Sequence, residues 1–526
     1  MTIVKIRIAD FRLLTTVVLA VLLGIGAVPA FGKQSIFYMA PDGSDHFDGL
    51  SQAKPFRSFF KAFRKMRPGD ELVLLDGVYS DLNKNGGISY LGKYSDQVVS
   101  GISGGRKTVV RSLNRGKATI EGRLIVGRSF RKDHDILIDG LTFEGGAQLY
   151  NTEYVQIKNS GFHGSFTIGT NDHNDGNNYN LVEDSWIWAE GERIIASNYR
   201  SDYNVWRRVV IRGDGCNRVE CLGPGNPNVG ITVYDSNHVS IQNVIVVDRV
   251  LGLGSPYADF AAAQHTPGKY LFGMNEWLGT ISIRAPDSGY YMEPDSDGTI
   301  DSTIKISNAV SWKARYSGIN ITRSGTNNVL ENITVVNSGY DGIRIGKRLT
   351  SGKLTNSISV NSGRYGVNSS YPSSSMNVFN SGEDNYYESR KKCLRSCFSF
   401  DPTRGGTTAS LKYLLRIEAG SKLKQAGNDG KDIGANILFR YGEDGSRYGE
   451  EGYNRLTSVP LWPWENEELI KEQMCKNTDR GFCTNGNRKN GAKPVTLTSY
   501  IWELLGNPIP VSVYRMPENK PASGPK

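Results

Sequence analysis

The amino-acid sequence predicts an all-β solenoid, a parallel β-helix of stacked coils, and three observations carry that prediction. Asn308, Asn332 and Asn356 stand 24 residues apart, and Asp184 follows Asn159 by 25, each inside a similar short apolar phrase. Gly318, Gly342 and Gly366 keep the same 24-residue spacing and are followed by Ile-Asn-Ile, Ile-Arg-Ile and Val-Asn-Ser. The phrases alternate with period two over three to five residues, are divided by Asn, Ser and Gly, and lack helical periodicity. Such strands cannot bury a face alone, but they can when each coil stacks on the one before.

The elements follow in chain order. Lys5, Arg7 and Arg12 precede an apolar run from Leu13 to Val28 and a small-residue site at Val28-Pro29-Ala30. That pattern is expected to be a secretory signal over residues 1–30, cleaved to leave no membrane span. Phe56, Phe59, Phe60, Phe63 and Met66 recur at helical spacing, which predicts an amphipathic helix plugging the open coil end. Residues 31–435 then form the coils. Stacking at ~4.8 Å puts equivalent side chains in register, so the asparagine column is expected to hydrogen-bond amide to amide along the axis. Arg208 stands in that column, 24 residues after Asp184, as a partner for the acid. Residues 436–526 break the period; Trp462, Trp464 and the run from Leu497 to Trp502 suggest a small helical appendage that caps the carboxyl end.

Composition narrows the class. With 60 glycines but only 20 prolines in 526 residues, the chain is folded and turn-rich, neither collagen-like nor proline-rich and disordered. Sixty-two basic against 53 acidic residues give +9, and about +7 once Lys5, Arg7, Asp10 and Arg12 are removed, which favours an anionic partner. Six cysteines fall in three local pairs, Cys216/Cys221, Cys393/Cys397 and Cys475/Cys483. None has zinc-ligand spacing or an adjacent histidine, so loop-clamping disulfides of an exported protein are expected. No phosphate loop or nucleophile elbow occurs, and no nucleic-acid partner is expected.

The segments Tyr38 to Asp45, Gly49 to Phe56 and Arg67-Pro68-Gly69-Asp70 to Gly77-Val78-Tyr79 resemble the amino-terminal cap and first coil of secreted proteins of the pectate-lyase-like superfamily. Lys422 to Ala435 is similar to the closing phrase of such domains. The resemblance spans roughly residues 36 to 435. It implies a right-handed, single-stranded parallel β-helix, secreted or periplasmic, probing carbohydrate along its flank. That scaffold hosts lyases, hydrolases, epimerases and non-catalytic surface proteins, so activity must come from residues. The Asp-Pro-His-Asp phrase of alginate epimerases is absent, as are the Asn-Gly-Gly/Ala-Glu and Lys-Ser-Ser phrases of alginate and chondroitin lyases.

Loops thrown out between coils build groove walls, so the site is sought where the period breaks. Ile241 and Ile306 are 65 residues apart, with room for an extra coil at Thr280-Ile-Ser-Ile-Arg284. Cleaving a uronate polymer by β-elimination needs a neutralised carboxylate, a base for the adjacent C–H and a proton donor. The excursion offers Arg249 and Arg284 as carboxylate clamps, His265 or Lys269 as base and Tyr270 as donor. Tyr316, Tyr340, Arg344 and Arg364 form outward columns suited to stacking on sugars and pairing with carboxylates, while Glu293, Asp295, Asp297 and Asp301 make half of an oxygen-rich calcium loop, without its distal glutamate. The leading expectation is a monomeric lyase of an acidic polysaccharide. A non-catalytic polysaccharide-binding or envelope protein is the alternative, followed by a glycoside hydrolase using carboxyl pairs among Asp214, Asp235, Asp248 and Asp287.

Overall fold

The computed structural model describes residues 33–503 except 90–96, 128–130, 170–175, 215–226, 251–254, 267–272, 294–302, 323–326, 347–351, 370–372, 381–384, 388–392, 403–412 and 485–495. The expected signal lies outside the described residues. Among the described residues, no helix is long and apolar enough to cross a membrane.

The coils are those of a parallel β-helix. From Thr108 to Ser369 each coil contributes one strand to a ten-stranded sheet and two strands, or one long bent strand, to a composite 21-stranded sheet. Pairing is parallel throughout both. Ile157, Val182, Trp206, Ile241, Trp277, Ile306, Leu330 and Leu354 pair in one unbroken register along the axis. All eight are buried in the central core. The 65-residue gap contains one further coil, carried by Asn275–Leu278 and Ile281–Ile283, so the excursion is two coils of unequal length.

Helix α1 (Phe59–Lys65) lies at the amino-terminal end, with Ser58 capping it by accepting a hydrogen bond from the Lys61 amide. Phe59, Ala62 and Phe63 enter the core, whereas Phe60 points outward at 48% exposure. The apolar face is thus narrower than the sequence pattern suggested.

The asparagine column is real, but its bonding differs from the expectation. Asn159, Asp184, Arg208, Asn243, Asn308, Asn332 and Asn356 all have φ between 46° and 58°, and Gly279 takes the same place in the additional coil. They form the left-handed bend between the two strands of the composite sheet, a conformation that asparagine and aspartate tolerate best among residues with a side chain. Their side chains face a returning segment of the chain. Asn356 Oδ1 accepts from the Asn428 amide, Asn332 Nδ2 donates to the Asp432 and Gly434 carbonyls, and Asn308 bonds Asn436 through both amide atoms. Asn243 Oδ1 then accepts from the Tyr441 amide, and Asn466 reaches Asn159.

Beyond Tyr413, the chain therefore runs back along the solenoid toward its first coils. The described part of the expected end cap lies on the flank, and the sheet explains why. Outward positions Trp186, Val210, Ile245, Ile281 and Val310, with Val247, Ile283, Trp312 and Val336 beside them, are apolar and buried. This sheet is buried on both faces and reads as continuous apolar runs instead of alternating ones. Leu461, Trp462, Trp464, Ile470 and Met474, with Trp502 from helix α3 (Leu497–Trp502), cover that stripe; Ile470 and Met474 belong to helix α2 (Glu467–Met474). Disulfides join Cys393 to Cys397 and Cys475 to Cys483, while Cys216 and Cys221 lie outside the described residues.

Candidate functional site

The outer face of the ten-stranded sheet is built by alternation. In Ile319–Ile321 and Ile343–Ile345 the isoleucines enter the core, which turns Asn320 and Arg344 outward. Register extends this line as Ser197, Thr232, Ala261, Tyr291, Asn320, Arg344 and Asn368, of which Ser197, Thr232, Ala261 and Asn320 are buried and Tyr291, Arg344 and Asn368 half-buried. Small and polar residues in one half of the line give way to tyrosine and arginine in the other.

Near the middle, the structure assembles a cluster around His265. Its ring stacks on Tyr234 with centroids 5.1 Å apart, and Tyr234 stacks on Tyr199 at 5.0 Å. Asp235 holds the turn by accepting the His265 and Thr266 amides, with Arg200 Nε 3.5 Å away. Burial and the Asp235 charge push the Tyr234 phenol up to about 12, so it remains protonated. Glu293 lies 3.6 Å from His265 Nε2 and accepts hydrogen bonds from Tyr257 (2.8 Å) and Tyr291 (3.2 Å). The His265 side chain is 44% exposed, Glu293 only 10%. An accessible imidazole thus meets a carboxylate fixed by two phenols.

Farther along the face, Tyr316 and Tyr340 stack at 4.5 Å, and the Arg364 guanidinium sits 3.8 Å from the Tyr340 centroid. Asp341 grips Arg364 through two bonds of 2.8 and 2.6 Å and also accepts from Asn368. Arg344 donates to the Tyr316 hydroxyl at 3.0 Å. The four expected sugar-binding side chains are therefore brought together, with Arg364 neutralised by Asp341.

Two expected clamps are not in this group. Arg249 is 3% exposed inside the solenoid, where Nε donates to Asp259 at 3.0 Å, NH2 donates to the Ala258 carbonyl, and NH1 meets Asn228. Burial pushes the Asp259 carboxyl up to about 6, although Arg249 and Ser282 oppose the shift. Arg249 is a structural ion pair that no polymer can reach. Arg284 stands on the composite sheet, donating to Tyr500 at 2.5 Å and lying 3.4 Å from Asp248, beside the returning segment and away from the ten-stranded face. Asp248 accepts there from Tyr500 and the Phe482 amide, Asp214 pairs with Arg480, and Asp287 accepts from Ser288. With Asp235 committed to its turn, the carboxyl groups considered for hydrolysis hold structural bonds. Lys269 and Tyr270 lie outside the described residues.

Asp295, Asp297 and Asp301 lie outside the described residues, and both Glu293 oxygens already accept phenolic hydrogens. One other acidic group, Glu183, Asp184 and Asp444, has ligand atoms within 4.8 Å of one another. Guanidinium groups occupy that centre: Arg208 bonds Asp184 at 2.5 Å and Asp444 at 2.8 Å, while Arg207 bonds Glu183 at 2.8 Å. Burial pushes Asp184 upward, yet Arg208 prevails and holds its carboxyl below the ordinary range. These residues fit a buried ion network better than a calcium site.

Tyr199, Tyr234, Tyr257 and Tyr291 escaped the sequence reading. Swollen coils space Tyr199, Tyr234 and His265 by 35 and 31 residues instead of 24. The parallel phrases Tyr199-Arg-Ser-Asp-Tyr203 and Tyr234-Asp-Ser-Asn-His238 were the available signal.

Fold and site together define a parallel β-helix with an aromatic sheet face on which charges are largely paired. No protein-family model matches the chain, and no curated protein matches its sequence. Among solved structures, it is similar to pectate lyase Pel9A at 16% identity and TM-score 0.47, covering 77% of this chain and 96% of that one. A rhamnogalacturonan lyase gives 13% and 0.39 over 81% and 97% of the two chains, and a periplasmic alginate epimerase gives 10% and 0.42 over 65% and 82%. The fold assignment rests on the chain's own strand pairing.

Proposed function

We propose that this protein is a secreted or periplasmic lyase that cleaves a uronate-containing polysaccharide laid along the ten-stranded face. The observation that carries the reading is the exposed His265 beside Glu293 on the same face as Tyr316, Tyr340 and Arg344. The neutral His265 imidazole offers one ring nitrogen as a proton acceptor. His265 takes the proton from the carbon next to the sugar carboxylate; a C=C bond forms as the C–O bond to the leaving sugar breaks. Lys269 is assigned as the neutralising cation and Tyr270 as donor to the leaving oxygen, both from sequence alone.

Incubating the protein with alginate, pectate and glycosaminoglycans should raise the ultraviolet absorbance of an unsaturated product with one of them. His265→Ala should lower kcat by about 100-fold or more, the scale of lost acid–base catalysis, without lowering Tm. New reducing ends without absorbance would replace elimination by hydrolysis. Retention on the polymer without either product would favour the binding-protein reading, which the Tyr316, Tyr340 and Arg364 stack supports.

A further inference from the structure

Toward the first coils the apolar stripe on the composite sheet gives out, and helix α2 bridges a cleft of about 650 Å³. Its floor is one column of side chains. Ile120 pairs with Phe143 and Phe143 with Phe162, so Glu121, Glu144 and His163 follow in line, and His163 pairs with Trp188. The opposite wall presents Glu472, Gln473, Lys476 and Asn477. Gln473 fixes that wall by donating to Thr142 at 3.0 Å and accepting from the Trp186 indole at 2.8 Å. The His163 ring lies between Glu144 and Glu190, at 2.8 and 2.5 Å, and stacks on Trp188 at 5.1 Å. His163 is thereby balanced by two carboxylates, and Glu472 has Lys117 at 3.8 Å. Glu121 adds a further exposed carboxylate to the floor. Lys476 stands on the same wall as Glu472, so the recess sets Glu121, Glu144 and Glu472 against His163 and Lys476, with carboxylates on both walls and one in excess.

We propose that this cleft is a second binding site, separate from the ten-stranded face, for a hydroxylated ligand bearing an amine, namely an amino-sugar unit. The volume is that of a small-molecule site. Carboxylates accept both hydroxyl and ammonium hydrogens, the latter as stronger charge-assisted bonds, while a uronate would have Lys476 as its cation among three carboxylates. The inference does not rest on the lyase reading.

The test is calorimetric titration of the full chain with a fully deacetylated glucosamine tetramer, its N-acetylated counterpart and tetragalacturonate. The deacetylated tetramer should bind at least about tenfold more tightly than the acetylated one. Glu121→Gln and Glu472→Gln, both at exposed positions, should each weaken it, and together by about tenfold or more. Tetragalacturonate should not displace it. Equal affinity for the two tetramers, wild-type affinity in the double variant, displacement by tetragalacturonate or no binding of the deacetylated tetramer would each overturn the proposal.

Discussion

At the scale of single residues, the left-handed bends connect local conformation to tertiary structure. Asn332 has φ 53° and donates to two carbonyls of the returning segment. Asn332→Ala should cost about 2 kcal/mol in urea unfolding, combining a left-handed alanine with lost hydrogen bonds. Asn332→Gly should recover the conformational part. The 24-residue spacing revealed these positions, because coil length fixes period. It could not reveal the direction of their amides, which depends on a segment a hundred residues away.

His163 gives a pH signature at the same scale. Hydrogen bonding to Glu144 is the largest cause raising its pKa to about 9, above the unfolded value near 6.5. The sign follows: its stabilisation is complete below about pH 6.5 and is lost as pH rises through about 9. Between those values Tm should fall more in the wild type than in His163→Gln. Parallel curves would contradict a charged His163.

At the scale of elements, the composite sheet and the returning segment explain each other. Trp186-Ile-Trp188 and Ile245-Val-Val247 are continuous apolar runs, a departure from the expected period-two alternation that arises because this part of the sheet is covered on both faces. What covers the outer face was not legible, since tryptophan and leucine in an irregular segment pack equally well at an end or along a flank. Trp462 is 2% exposed and donates its indole hydrogen to the Ile437 carbonyl. Trp462→Ala should destabilise the protein by about 3–5 kcal/mol, measured by denaturant midpoint. A change below about 1 kcal/mol would detach the segment from the cooperative unit.

At the scale of the molecule, regular coils supply rigid, repeated positions, and departures from regularity supply chemistry. The regular part could be read from spacing alone. Arg249 could not: lying in the excursion made it a candidate, but its partner Asp259 turns inward among the core strands and takes it out of reach. Conversely, Tyr257 and Tyr291 acquire a role only through their register beside Glu293.

The central claim is that polymer engages the ten-stranded face, and hydroxyl-radical footprinting of aromatic side chains with and without a bound uronate oligomer tests it most directly. Tyr234, His265, Tyr316 and Tyr340 should lose reactivity on binding, while Tyr448 and Tyr453 in the returning segment should not change. Unchanged labelling of the first four, with protection of the latter pair, would place the polymer on the other sheet and contradict the account.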